Sequence, residues 1–586
     1  MSSRRVSPAL LAAFVLISAC GGPSASGGPA ASLTPTPAST QTAASPAATA
    51  ATGPPACVAP SVPAVADGWW QDRVFYEVFV RSFADSDGDG IGDLRGLTDR
   101  LDDLNDGDPA TTDDLGVTAL WLMPVAESPS YHGYDVTDYR AIERDYGTAD
   151  DFRALVAAAH RRGIDIVVDL VMNHTSIEHP WFVDARTPGS VHDDWYVWSA
   201  TRPAVAGPGG RPVWHAAGDR FYYGYFWEGM PDLNLANPAV TAELDDIARF
   251  WLEDMGVAGL RLDAARHLLE DGSTLENTPA TFAWLEGFRA RLKAVDPGAL
   301  VLGEVWDATS IASRYVRDGA LDLTFDFGLA GQMLAAVRNG DAGSLRIVQR
   351  EVSEAYPGGG YAAFLTNHDQ DRVMDVVGRD PAAARQAATL LLTGAGVPFI
   401  YYGEEIGLIG RKPDERIRTP MPWTAEEPGH GFTTGTPWEP FADDVATANV
   451  ASQTGRDDSI LSWYRSLIAL RGSHPALGTG ASLTPVEASA PSVYAVLRHD
   501  PVSGESAVVV SNLDDAPVPD VTLDAVAGPL CGTPGVTVLL GSERADLDRP
   551  DLAAPTVSAG GGLVSWRIGE LGAHQDLVIS LGDGPG

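Results

Sequence analysis

Four short segments place acids or histidines directly after apolar runs: Asp169 to His174 (DLVMNH), Gly259 to His267 (GLRLDAARH), Gly303 to Trp306 (GEVW) and Thr366 to Arg372 (TNHDQDR). Three of the acids, Asp263, Glu304 and Asp369, come from different segments. Carboxylates gathered from separate segments are suited to paired nucleophilic and acid–base work. Cleavage of a glycosidic bond asks for such a pair, with the carboxyl groups about 5 Å apart when configuration is retained. A single Asp at a strand end is more often a cap or an ion-pair partner, and four such ends in chain order weaken that reading. A second acidic pattern, Asp85-Ser86-Asp87-Gly88-Asp89-Gly90-Ile91-Gly92-Asp93, sets carboxylates at alternate positions around glycines. Hard oxygen ligands at this spacing suit Ca²⁺, but an EF-hand would need a glutamate at its twelfth position, where Gly96 stands.

The elements that must position these residues are visible as eight short apolar runs: Val74–Val80, Ala119–Met123, Ile164–Val171, Gly259–Leu262, Leu300–Val305, Leu321–Phe325, Ala362–Leu365 and Val397–Tyr402. Helical patterns lie between them, such as Asp151–Arg162 with Phe152, Leu155, Val156 and Ala159 on one face. Strands alternating with helices predict an α/β fold with a parallel sheet, closed as a (β/α)8 TIM barrel or open and doubly wound. No glycine-rich phosphate loop follows the first strand, which weakens the dinucleotide-binding alternative. The acids collect at the C-terminal ends of the strands, the catalytic edge of a barrel. The interval from Asn173 to Asp232 is too long for a βα connection and predicts an inserted subdomain after strand 3, at about 175–235. It carries Trp181, Trp195, Trp198, Trp214 and Trp227, of which most should be structural and one or two should stack on sugar rings. After the helix around Ser459–Leu470, short alternating runs predict a C-terminal antiparallel β-sandwich domain over 479–586, following a catalytic region over 67–478.

The N-terminus is a different kind of sequence. Arg4 and Arg5 precede the apolar stretch Val6–Ile17, and small residues Ser18 and Ala19 precede Cys20, which reads as a targeting segment over 1–20. Residues 21–66, rich in Ala, Pro, Ser, Thr and Gly, read as a flexible spacer. Ile17-Ser18-Ala19-Cys20 resembles a bacterial lipobox. That implies an exported protein, a cell-envelope lipoprotein or an extracellular one, meeting a membrane only through a lipid on Cys20. An exported compartment permits Cys57 and Cys531 to pair. The 586-residue chain has a formal net charge of −38 and two lysines, Lys293 and Lys412. Such a surface repels phosphate backbones, so no nucleic-acid partner is expected, whereas a neutral sugar is unaffected by it.

The four segments resemble the signature regions of the α-amylase family of glycoside hydrolases (family 13), built on a (β/α)8 barrel, and the resemblance covers nearly all of residues 69–586. It implies that Asp263 attacks the anomeric carbon to form a glucosyl-enzyme. Glu304 would be general acid and then base, and Asp369 would hold sugar hydroxyls. Arg261, two residues before the nucleophile and on the same strand face, would keep Asp263 ionised. His174 and His368 would bond to sugar, although a buried structural role is the alternative for both. Arg372 is carried over as a substrate contact. The loop Tyr131-His132-Gly133-Tyr134-Asp135 matches the family's aromatic platform through His132 and Tyr134.

Met230-Pro231-Asp232-Leu233-Asn234 resembles a further family region, in a form between those of oligo-1,6-glucosidases and neopullulanases. That group includes extracellular α-amylases, some of them lipoproteins. Oligo-1,6-glucosidases place an acid where Tyr131 stands, so its absence favours internal cleavage of an α-glucan chain over trimming from the end. The resemblance also implies a structural Ca²⁺ on Asp85, Asp87, Asp89, Asp93 and the Ile91 carbonyl. A second ion, found in only some relatives, would lie on Asn173, Asp232 and the His267 carbonyl. The expected activity is hydrolysis of internal α-1,4-glucosidic bonds in starch, glycogen or maltooligosaccharides. An α-glucosidase or glucanotransferase using the same acids is the alternative, and a non-catalytic barrel scaffold is a remote one.

Overall fold

The computed structural model describes residues 68–582 apart from Pro357, Glu543, Asp548 and Pro550. The targeting segment with Cys20, the spacer and Cys57 lie outside the described residues, while Cys531 is disulfide-bonded. Among the described residues no helix is long and apolar enough to cross a membrane.

Eight parallel strands form one sheet: β1 (Phe75–Val78), β2 (Ala119–Leu122), β3 (Asp165–Leu170), β4 (Gly259–Leu262), β5 (Leu300–Gly303), β6 (Leu323–Thr324), β7 (Ala362–Ala363) and β8 (Val397–Tyr401). They run in the order β6-β5-β4-β3-β2-β1-β8-β7, and a parallel bridge between Phe325 and Ala362 joins β6 to β7 and closes the ring. The barrel expectation therefore holds and the open doubly wound alternative does not. Strands β6 and β7 are shorter than their apolar runs, because the residues beyond them leave the ladder to pack as loops.

Alternate residues on each strand face the barrel interior. Phe75, Trp121, Val167, Leu300, Leu302, Leu323, Phe325, Ala362, Phe364, Val397 and Phe399 fill it as one apolar cluster. Each large side chain sealed there contributes about 1.5–3 kcal/mol. One further step of two along the same rows changes the chemistry: Phe75 leads to Glu77, Val167 to Asp169 and Leu302 to Glu304. The fold thus converts a period of two into a greasy floor with a polar upper layer. Strand β4 supplies Arg261 to that layer, opposite Asp169 of β3 and Leu302 of β5.

The helix between β2 and β3 spans Ala149–His160, two residues earlier than the periodicity predicts. Its start is fixed by a reciprocal cap between Thr148 and Asp151. After β3 the inserted subdomain builds a three-stranded sheet from Trp198–Ser199, Arg220–Tyr223 and Trp214–Ala217. Most of its tryptophans are structural: Trp198 stacks on Phe182, Trp181 packs on Trp195, and Trp214 meets Tyr223. Trp227, by contrast, is 51% exposed.

The C-terminal region holds β9 (Ser482–Pro485), β10 (Val493–His499), β11 (Ser506–Asn512), β12 (Val518–Asp524), β13 (Gly535–Gly541), β14 (Trp566–Leu571) and β15 (Asp576–Gly582). A five-stranded antiparallel sheet in the order β9-β10-β11-β15-β13 faces a smaller sheet containing β12 and β14. Strands β10 and β11 are buried along their whole length. One face packs within the sandwich through Val493, Leu497, Val508 and Val510. The other joins the barrel core through Tyr494, Val496 and Val509. Polar contacts fix this seam, with Thr389 donating to Asp576 at 2.8 Å and Gln386 to the Asn512 carbonyl at 2.6 Å.

Candidate active site

Arg261 is the centre of the polar layer. Its Nη1 donates to both oxygens of Asp169 at 2.9 Å and to Asp263 Oδ1 at 2.8 Å. Its Nη2 donates to Glu304 Oε2 at 2.9 Å. The guanidinium is fully buried and so are most atoms of its three acids, an arrangement tolerated only because each charge is paired. Burial works against the Arg261 charge, but Asp169 and Glu304 outweigh it and hold its pKa well above the ordinary value. Burial also raises Glu304, and the charges of Asp263 and Asp369 add to this against the pull of Arg261. A carboxyl group raised in this way keeps its proton for donation. Asp169 is lifted by burial to about 7.

Asp369 enters from the loop after β7. Its Oδ1 accepts from Arg418 Nη2 at 3.0 Å, and its Oδ2 lies 3.4 Å from His368 Nε2. Burial pushes its carboxyl group up, but His368, Arg418 and Lys412 together bring it down to about 2. Asp369 is therefore an anion at neutral and mildly acidic pH. Arg418 is held in turn by the His368 carbonyl at 2.9 Å.

The loop after β2 hangs from a hairpin pairing Ala126–Glu127 with Asp138–Ile142, and Ser128 braces it by donating to Asp135 at 2.8 Å. Tyr134 Oη donates to Asp169 Oδ2 at 3.0 Å and lies 2.7 Å from His368 Nε2, with the two rings stacked. The Tyr134 amide donates to His132 Nδ1 at 3.1 Å, which makes that nitrogen an acceptor and leaves the proton on Nε2. Tyr131 stacks on Trp438 at 5.3 Å and lies under Arg418.

Three expected substrate contacts have other partners in this structure. His174 Nε2 bonds to the Tyr134 carbonyl at 3.0 Å, and the Asn173 amide lies 3.4 Å from its Nδ1. Burial lowers its pKa to about 4, so it is a neutral strut under the Tyr134 loop. His368 is likewise held on both nitrogens, by Tyr134 and by Glu77, the latter at 2.5 Å. Arg372 is not joined to the carboxylates: it is buried and donates to the Ile417 and Tyr402 carbonyls, because its guanidinium serves the turn after β8.

The acidic loop after β1 brings Asp85, Asp87 and Asp89 together, with one carboxylate oxygen from each within 4.8 Å of the others. Partial desolvation of the exposed Asp89 carboxyl raises its pKa, and the charges of Asp87 and Asp85 add to the effect. Such a cluster fits a cation. Ile91 belongs to the same loop, and the Asp93 carboxylate also accepts from Ser86 and caps the helix Leu94–Asp99 through the Gly96 amide. Gly90 has φ +96°, and a Cβ there would lie 1.8 Å from the Thr436 carbonyl, so only glycine lets this loop pack on the segment after β8.

At the second expected ion position, Asn173 donates to Asp232 at 3.1 Å. Asp232 is raised well above the ordinary range by burial and then by the charge of Glu270. Glu270 itself is pushed to about 7 by burial, and its Oε1 is buried without a hydrogen-bond partner. Two buried acids in mutual repulsion also fit a cation. The His267 ring bonds to the Leu275 carbonyl, which leaves only its backbone for such a role.

Sequence reasoning assigned no role to Glu77, Asp169, Glu270, Trp306 or Arg418. Trp306 is 43% exposed, two residues beyond Glu304, and stacked on Phe327 at 4.4 Å.

Residues 77–480 match the model of the family described as "Alpha amylase, catalytic domain". Alpha-amylase 3 of Dictyoglomus thermophilum is 41% identical over 419 residues, covering 70% of this chain and 79% of that protein. The trehalose synthase/amylase TreS of Mycolicibacterium smegmatis is 35% identical, covering 73% of this chain and 80% of that one. The crystal structure of an α-amylase from H. orenii superposes with a TM-score of 0.75 at 39% identity, over 87% of this chain and 99% of that chain. With the matched residues containing Asp263, Glu304 and Asp369 on the C-terminal edge of the barrel, the chain belongs to the α-amylase family of glycoside hydrolases.

Proposed function

We propose that this enzyme hydrolyses internal α-1,4-glucosidic bonds of starch, glycogen or maltooligosaccharides with retention of configuration. The observation that carries the reading is the pair Asp263 and Glu304 on adjacent nitrogens of one guanidinium. Two carboxylates gathered on one guanidinium suit the close pair, roughly 5 Å apart, that retention uses. In the first step an Asp263 oxygen bonds to the anomeric carbon while the glycosidic bond breaks. The proton of Glu304 goes to the departing oxygen. In the second, Glu304 takes a proton from water, the water oxygen bonds to the same carbon, and Asp263 leaves as a carboxylate. Asp369, held anionic, accepts hydrogen bonds from sugar hydroxyls and favours the cationic transition state.

Tyr131 supports internal cleavage. An acid at this position would face Arg418; with Tyr131 there, Arg418 pairs with Asp369 and Asp414 instead, and no carboxylate from that position blocks the chain. The exposed faces of Trp306 and Trp227 suit stacking on sugar rings of a longer chain. An exported, lipid-tethered enzyme, as Cys20 and the spacer imply, suits a polymer too large to enter a cell.

The test is a product time course from soluble starch and from short maltooligosaccharides, using the full chain. Mixed mid-length products appearing first from starch are expected. Glucose alone from short substrates would replace the reading with an α-glucosidase. Products longer than the substrate, or isomerised disaccharide, would favour transfer, the second reading that likeness to TreS supports.

We also propose Ca²⁺ as a structural ion in the Asp85–Asp89 loop, with a second on Asn173, Asp232 and the His267 carbonyl. Removing it with a chelator is expected to lower Tm by several degrees, since an ion at 100 times its Kd stabilises by about 2.7 kcal/mol. Restoring Ca²⁺ should recover Tm in the wild type, and the Asp87→Asn, Asp89→Asn double variant should lose part of that response. An unchanged Tm on chelation would remove calcium from this account.

A further inference from the structure

We infer that Glu77, in the middle of strand β1, is a positioning residue that keeps His368 protonated on both ring nitrogens, so that the ring stands as a fixed cation beside Asp369. The inference rests on the glycosidase reading only for its kinetic consequence.

The argument is a count of protons. Burial raises Asp169, but Arg261 Nη1 reaches both of its oxygens and favours the charged form, and that carboxylate accepts the single proton of Tyr134 Oη. The Tyr134 oxygen therefore meets His368 Nε2, at 2.7 Å, as an acceptor, and Nε2 must carry a proton. On the other side of the ring, Nδ1 lies 2.5 Å from Glu77 Oε1. A bare nitrogen and a carboxylate at that distance would set two lone pairs against each other, so a second proton lies between them. Glu77 and His368 are both buried, and a buried carboxylate and imidazolium stabilise each other most when in contact.

The groups around the ring come from several elements. Glu77 is on β1, Trp121 on β2 presents its ring at 5.7 Å, and Tyr134 follows β2. Asp169 is on β3, Asp369 is the next residue, and Arg418 holds the His368 carbonyl from beyond β8. Burial opposes the charged ring and so does Arg418, but Asp369 and Glu77 outweigh both and raise its pKa. His368 is in turn the largest influence holding Asp369 down. The charge of Glu77 thus acts at one remove on the acid that meets the sugar. A glutamine would preserve the shape and one hydrogen bond but not the charge.

The experiment uses full-length protein labelled with ¹⁵N-histidine, with the His368 signals assigned by their loss in His368→Asn. Two protonated ring nitrogens are expected at pH 7, with a strongly downfield Nδ1 proton. A neutral ring with one protonated nitrogen at pH 7 would overturn the inference, whether or not the enzyme turns over α-glucan. In Glu77→Gln the ring should lose its charge at a pH lower by about one to three units. The basic limb of kcat/KM should move the same way, and Glu77→Asp should recover part of the shift. A folded Glu77→Gln protein with unaltered histidine titration and pH profile would refute the assignment. Should that variant not fold, the wild-type spectrum decides.

Discussion

Asp263→Asn is expected to lower kcat on soluble starch by roughly 10⁴-fold or more, the scale seen when a covalent nucleophile is removed. The amide has no anionic oxygen to bond to the anomeric carbon, while its oxygen still accepts from Arg261 Nη1, which holds Asp263 at 2.8 Å. Asp169 and Glu304 keep their own bonds to the same guanidinium, so the fold should survive and Tm should change little. Initial rates together with thermal unfolding separate the two effects. A folded variant retaining more than about a tenth of wild-type activity would move the nucleophile to another residue.

Glu304→Gln is expected to cost about 10²–10⁴-fold on starch, whose leaving oxygen needs a proton, and far less on α-glucosyl fluoride, whose leaving group needs none. Because burial and the charges of Asp263 and Asp369 raise the Glu304 carboxyl, its protonated form persists above the ordinary carboxylate range. The wild-type kcat/KM should therefore stay high through that range and fall at higher pH, as the acid loses its proton. The variant should lack this basic limb on the fluoride substrate. Equal losses on both substrates would mean that Glu304 is not the acid.

The barrel was legible because its strands are buried on both faces and read as apolar runs, and because the acids stand where those runs stop. Asp263, Glu304 and Asp369 could be found for that reason. Glu77 sits inside such a run, as the one acid of Phe75–Val78, and only contact with a residue 291 positions away gives it a role. Arg418 lies in a loop with no motif, and its tie to Asp369 spans 49 residues. Arg372 is the reverse case: a basic residue beside a signature segment looks like a substrate contact, and only the structure shows its bonds to the Ile417 and Tyr402 carbonyls. Asp93 has an acid's chemistry and a cap's geometry, and spacing alone does not separate ligand from cap. The double burial of β10 and β11 was invisible as well, since alternation cannot reveal that a second face is covered by the barrel.

The sharing of Arg261 among Asp169, Asp263 and Glu304 constrains how this pocket can drift over generations. A change at any one acid alters the charge felt by the other two through the same planar group, so effects of paired substitutions will not add. A lineage leaving this chemistry would meet no sequence of small, independent steps. Losing the arginine leaves three buried acids without their shared donor at once, and losing one acid leaves the guanidinium to redistribute its donors. Inheritance of the four residues is therefore close to all or nothing, whereas Tyr131, Trp227 and Trp306 make no bond to this guanidinium and carry no such constraint.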